Sequence, residues 1–81
     1  MRIQVKLPEL GDDADQEANV SFFFPEVNDV IKEGDDLVEM VTDKATFNVP
    51  SQVTGKVVEI VVNEDQVVKV GEVLAVIETE D

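Results

Sequence analysis

A pattern of six residues occurs twice in this 81-residue chain, with the same internal spacing each time. The second copy lies 37 residues after the first, as Gly71 does after Gly34. The recurring positions are Val20, Val30, Lys32, Gly34, Leu37 and Thr42, matched by Val57, Val67, Lys69, Gly71, Leu74 and Thr79. An offset of this size is typical of structural repeats. Since neither copy can bury an apolar face alone, we expect them to pack together with approximate two-fold symmetry.

Both copies have the pattern of a strand, a turn, a short strand, a glycine turn and a second strand. Asn28 and Asp65 occupy equivalent positions just before the short strands. Asn and Asp tolerate positive φ better than other non-glycine residues, so we expect a left-handed residue at both turns. The many valines, and the alternation of Ile3, Val5 and Leu7 with polar residues, indicate strands rather than helices.

Composition restricts the chemistry that this chain can perform by itself. The sequence contains no Cys and no His, which excludes thiolate nucleophiles and the usual Ser-His and Cys-His systems. It has 6 basic residues against 19 acidic ones, a balance that disfavours nucleic acids and anionic membrane surfaces as partners. We therefore expect a non-catalytic domain whose partner presents a basic surface.

The acidic segment from Glu9 to Glu17 is predicted to be a solvated loop. Its alternating acids resemble the start of a calcium loop, but Ala18 and Phe24 stand where the glycine and the bidentate acid would be required. A strand is predicted over 20–24, ended by Pro25. Because three consecutive phenylalanines cannot all face one way, at least one must lie on the face opposite the others.

Lys44 is the candidate functional residue. Strand-like sequence lies on both sides of Asp43-Lys44, over 37–41 and 46–49, so this pair is predicted to form the tip of a hairpin. An Asp side chain can stabilise such a turn by accepting hydrogen bonds from backbone N–H groups. The equivalent of Lys44 in the second copy is Asp81, so only one of the two copies carries a lysine here. A solubilising surface charge is the alternative interpretation of Lys44.

The chain resembles the lipoyl domains of the acyltransferase components of 2-oxo acid dehydrogenase complexes. The resemblance covers essentially the whole chain, and its most specific part is the Asp-Lys-Ala turn with a glycine eleven residues beyond the lysine. The segments that carry it are Leu7-Pro8-Glu9-Leu10-Gly11-Asp12, Asp43-Lys44-Ala45-Thr46, Val49-Pro50-Ser51, Gly55-Lys56-Val57, Lys69-Val70-Gly71 and Leu74-Ala75-Val76-Ile77-Glu78. The chain departs from the family where Val41 replaces a frequent Glu, and where Asn28 and Asp65 replace Gly.

This resemblance implies a fold and a site. The expected fold is all-β, a flattened barrel or sandwich of two quasi-symmetric four-stranded antiparallel sheets, with residues 1–81 forming one lipoyl domain. Lys44 would carry lipoic acid in amide linkage as N6-lipoyllysine. Asp43 and Ala45 would be the flanking residues that the modifying enzyme recognises, and the loop over 9–15 would lie near the modified turn.

The resemblance also implies partners. The modifying enzyme would be a lipoate ligase or lipoyl transferase. The swinging arm on Lys44 would shuttle acyl groups and reducing equivalents among a thiamin-dependent decarboxylase (E1), the acyltransferase catalytic domain (E2, class 2.3.1) and dihydrolipoyl dehydrogenase (E3). We expect a monomeric carrier without membrane or nucleic-acid partners, in the bacterial cytoplasm or the mitochondrial matrix.

Two other functions are compatible with a lysine on this fold. A biotinyl carrier domain of a carboxylase shares the turn lysine, although such domains typically have Met on both sides of it where this chain has Asp43 and Ala45. An unmodified sandwich domain that acts only as an interaction module is the third possibility. The Asp-Lys-Ala turn favours the lipoyl carrier over both.

Overall fold

The computed structural model describes residues 1–9 and 16–79. All regular structure in these ranges is β-strand, and no helix there is long and apolar enough to cross a membrane. The strands are β1 (Arg2–Lys6), β2 (Glu17–Phe23), β3 (Val30–Ile31), β4 (Asp36–Val41), β5 (Thr46–Pro50), β6 (Gly55–Ile60), β7 (Val67–Lys69) and β8 (Val73–Glu78). The all-β prediction is confirmed.

The strands form two four-stranded antiparallel sheets. The first sheet has the order β1-β8-β6-β3 and the second has the order β5-β4-β2-β7. Within the described residues neither sheet closes into a barrel, so the arrangement is a sandwich of the predicted quasi-symmetric kind. Because each sheet has its own apolar face, packing the two faces together forms one core.

The two-fold relation predicted from the repeat is present in the strand pairing. The central pair β2–β4 of the second sheet corresponds to the central pair β6–β8 of the first. The short strands exchange places, since β3 pairs with β6 of the other copy and β7 pairs with β2. The sequence comparison did not anticipate this exchange, which joins the two copies through backbone hydrogen bonds as well as through the core.

The two predicted left-handed residues are confirmed, and their amides contribute to the same junction. Asn28 has φ 83° and Asp65 has φ 67°. The Asn28 N–H donates to the Val57 carbonyl over 2.7 Å, and the Asp65 N–H donates to the Val20 carbonyl over 2.7 Å. Each left-handed turn therefore aims a backbone donor at the central strand of the other copy.

The core lies between the sheets. Its largest fully buried side chains are Leu7, Leu37, Met40, Leu74 and Ile77. Leu37 and Leu74 are equivalent positions of the repeat, so both copies contribute the same residue type to the core. Burying a side chain of this size contributes about 1.5–3 kcal/mol, which makes the two copies mutually dependent.

The phenylalanine strand divides between the two faces of the second sheet. Phe23 is half-buried against the core, whereas Phe22 and Phe24 lie outside it with 36% and 46% of their surface exposed. The two outer rings meet edge to face, with centroids 4.7 Å apart and an interplanar angle of 65°. Strand β2 also starts earlier than predicted, at Glu17, because its first three residues pair with β7.

Candidate functional site

The candidate site is the hairpin between β4 and β5. The paired strands hold Val41 opposite Thr46 and Met40 opposite Phe47. Met40 and Val49 are buried, so both strands of the hairpin are anchored in the core. This pairing confirms the predicted hairpin and leaves four residues, 42–45, to form its end.

Lys44 is exposed at the tip, as its position in the sequence predicted. Its ammonium group makes no hydrogen bond or ion pair with any residue that the structure describes. An amine in this position can be reached by a second protein without rearrangement of the hairpin. The geometry therefore suits a lysine that is modified, and the role itself stays a prediction.

The hydrogen bonds that hold the turn come from Thr42 and not from Asp43. The Thr42 N–H donates to the Ala45 carbonyl over 2.8 Å. The Thr42 hydroxyl accepts from the N–H groups of Lys44 and Ala45 over 3.3 and 3.2 Å, and it lies 3.2 Å from the Ala45 carbonyl, to which it donates. The expected stabilisation of the turn by the Asp43 side chain is wrong for this reason: the shorter Thr42 hydroxyl lies directly beneath both amides.

Asp43 and Ala45 flank the lysine as exposed residues. Among the residues that the structure describes, the Asp43 carboxylate makes no hydrogen bond or ion pair. Both side chains are thus presented to solvent beside Lys44, where a modifying enzyme would meet them. The predicted proximity of the loop over 9–15 concerns residues 10–15, which lie outside the described ranges.

Gly55 has a steric role that the sequence did not reveal. A Cβ at this position would collide with the Glu78 carbonyl oxygen and would lie 2.9 Å from Cγ2 of Ile77. Strand β6 therefore approaches β8 so closely that no side chain fits. The glycine eleven residues after Lys44 is required by packing in the first sheet rather than by contact with the lysine.

A two-sheet β-sandwich that presents one exposed lysine on an anchored hairpin defines a class of covalent attachment domains. Consistent with this, residues 3–77 match the biotin/lipoyl attachment family, described as "Biotin-requiring enzyme". The chain belongs to this family. The solution structure of the lipoyl domain of the 2-oxoglutarate dehydrogenase complex from Azotobacter vinelandii has the same fold, with a TM-score of 0.75 and 26% identity over 95% of this chain and 96% of that chain.

Curated relatives are acyltransferase components of dehydrogenase complexes. The succinyltransferase component of the 2-oxoglutarate dehydrogenase complex from Bartonella vinsonii subsp. berkhoffii is 36% identical over 96% of this chain and 19% of its own length. The lipoamide acyltransferase component of the branched-chain alpha-keto acid dehydrogenase complex from Bacillus subtilis (strain 168) is 36% identical over 95% of this chain and 18% of its own length. The chain spans about a fifth of these relatives.

Proposed function

We propose that this chain is a lipoyl carrier domain of a 2-oxo acid dehydrogenase complex, with Lys44 as the acceptor of lipoic acid. The observation that carries the proposal is the exposed Lys44 amine on a hairpin whose strands are anchored in the core. The names of the relatives support lipoate as the group attached. Asp43 and Ala45 support it as well, since they replace the methionines expected beside a biotinylated lysine.

The residues present fit a covalently attached cofactor. Attachment forms an amide bond between Lys44 Nζ and the carboxyl carbon of an activated lipoyl donor, releasing the activating group and a proton. When attached, lipoic acid supplies the acyl-carrying and redox chemistry that a chain without Cys or His lacks. The protein contributes a fixed attachment point, exposed flanking residues for recognition and an anchored hairpin.

Tethering explains why a non-catalytic domain would be useful. A carrier group on a linked domain reaches its enzymes at effective concentrations on the order of millimolar, provided that the linker spans the sites. The partners that we propose are the decarboxylase, the acyltransferase catalytic domain and dihydrolipoyl dehydrogenase. The net charge of −13 would steer the domain toward basic enzyme entrances, which affects the association rate more than the affinity.

A lipoylation assay tests the proposal. The protein is incubated with lipoate, ATP and a lipoate ligase, and the product is examined by intact mass and peptide mapping. We expect one lipoyl group, on Lys44. Lys44→Arg should prevent the mass increase, whereas Lys56→Arg should not. Absence of modification in the wild type, while a known acceptor is modified, would contradict the proposal.

The biotinyl carrier is the second candidate, favoured by the family description. The same protein is incubated with biotin, ATP and a biotin ligase and probed with streptavidin. Binding of streptavidin, together with no lipoylation, would replace lipoate by biotin at the same lysine. If neither ligase modifies Lys44, the unmodified interaction module becomes the better explanation.

A further inference from the structure

The Thr42 hydroxyl lies at the base of the lysine turn and uses its full hydrogen-bonding capacity there. A hydroxyl has one proton to donate and two lone pairs that accept. Thr42 donates to the Ala45 carbonyl and accepts from the amides of Lys44 and Ala45, all within 3.2–3.3 Å. One side chain therefore satisfies both amides that follow Asp43.

The backbone of the turn explains why a side chain is needed. Two-residue hairpin connections usually adopt type I′ or II′ turns, which require positive φ and match the twist of the strands. Among the described non-glycine residues only Asn28 and Asp65 have positive φ, so Asp43 and Lys44 do not form such a turn. The Ala45 N–H also donates to the Thr42 hydroxyl where the usual turn would use the Thr42 carbonyl. The hydroxyl replaces the missing backbone bond.

We infer that Thr42 is a positioning residue for modification of Lys44: its hydroxyl fixes the Lys44 and Ala45 backbone so that the modifying enzyme receives an ordered turn. This inference rests on the proposed function. An enzyme that acylates Lys44 must align the Nζ atom with an activated carboxyl group, and a preordered substrate lowers the entropic cost of that alignment. Loss of the hydroxyl should therefore raise KM for the protein substrate more than it lowers kcat.

The first sheet provides a matched control. Thr79 is the repeat equivalent of Thr42, and its N–H and hydroxyl donate to the Met1 carbonyl over 2.8 and 3.3 Å. These contacts reproduce those of Thr42 with the Ala45 carbonyl. Removing the Thr79 hydroxyl therefore removes a similar hydrogen bond from an equivalent position that carries no lysine turn.

The experiment compares Thr42→Val, Thr42→Ala, Thr42→Ser and Thr79→Val in the lipoylation assay, using lipoate, ATP and a lipoate ligase. Initial rates at varied protein concentration give kcat and KM, thermal unfolding gives Tm, and NMR gives amide hydrogen exchange at residues 44 and 45. We expect kcat/KM to fall about tenfold in the two hydroxyl-free Thr42 variants, mostly through KM, with faster exchange at both amides. Thr42→Ser should restore the wild-type values.

Thr79→Val should lower Tm about as much as Thr42→Val while leaving kcat/KM unchanged. Wild-type kcat/KM in Thr42→Val, or an equal loss in Thr79→Val, would overturn the inference. A wild-type protein that the ligase does not modify would instead overturn the proposed function and the inference with it. The wild-type and variant measurements thus separate the two failures.

Discussion

The two copies of the repeat have nearly the same framework but differ at the ends of their second strands. In the second sheet, β4 ends in Thr42 and continues into the turn that carries Lys44. In the first sheet, β8 ends before Thr79, which hydrogen-bonds to Met1 from the other end of the chain. Since the framework is shared, it cannot explain the lysine turn. A feature found at only one of two equivalent places points to function, and a feature found at both points to folding.

The largest expected effect tests this distinction directly. Lys44→Arg should abolish lipoylation and change the free energy of unfolding by no more than about 0.5 kcal/mol, because Lys44 is exposed. Lys32→Arg and Lys69→Arg, at positions occupied by lysine in both copies, should alter neither. Mass spectrometry and urea unfolding measure the two quantities. Residual modification of Lys44→Arg would show that the asymmetric turn is not the only acceptor.

The repeat in the sequence predicted most of the framework and part of the site. Gly34, Gly71 and the left-handed pair Asn28 and Asp65 recur because both copies make the same turns, with φ of 94° and 90° at the glycines. Such local requirements leave a direct mark on residue type. The exposed position of Lys44 could be predicted for the same reason, since strand-like sequence lies on both sides of it.

Features that depend on distant backbone contacts could not be predicted in this way. The exchanged strands β3 and β7 have two and three residues, too few for alternation to identify their partners. The role of Thr42 depends on where its hydroxyl lies relative to two amides. Its recurrence as Thr79, together with the known tendency of Thr to bond to nearby turn backbone, was the signal available in the sequence.

The second prediction concerns equivalent positions with different residues, Gly55 in β6 and Ala18 in β2. Gly55→Ala would place a Cβ against the Glu78 carbonyl, so we expect destabilisation of about 2–3 kcal/mol from overpacking. Ala18→Gly should cost only about 1 kcal/mol, through backbone entropy and one lost methyl contact. Urea unfolding of both variants measures the difference. Equal losses would mean that β6 can move away from β8 at little cost.

The third prediction tests the symmetry at the left-handed turns. Asn28→Ala and Asp65→Ala should each destabilise the fold by about 1 kcal/mol, because a Cβ without a polar group is unfavourable at positive φ. Asn28→Gly and Asp65→Gly should retain wild-type stability. Both alanine variants break the same type of junction between the copies, so their denaturant midpoints should fall equally. A clear inequality would show that the two junctions do not contribute alike.

The smallest expected effect concerns the outer faces of the sheets. Phe24 and Val61 are equivalent residues with nearly equal exposure, 46% and 45%, so the framework accepts a small aliphatic side chain at this position. Phe24→Val should therefore cost at most about 1 kcal/mol, mainly from loss of the edge-to-face contact with Phe22. Val61→Phe should be close to neutral, because Glu59 occupies the position equivalent to Phe22 and offers no ring partner.

The double variant Phe22→Glu/Phe24→Val gives the second sheet the outer residues of the first and separates the ring contact from the individual side chains. If the ring contact is the main term, the loss in the double variant should be smaller than the sum of the two single losses, measured by urea unfolding. Additive losses would mean that each ring is stabilised by its own strand. The pair would then be two separate surface residues, and the aromatic asymmetry between the copies would have no cooperative role in stability.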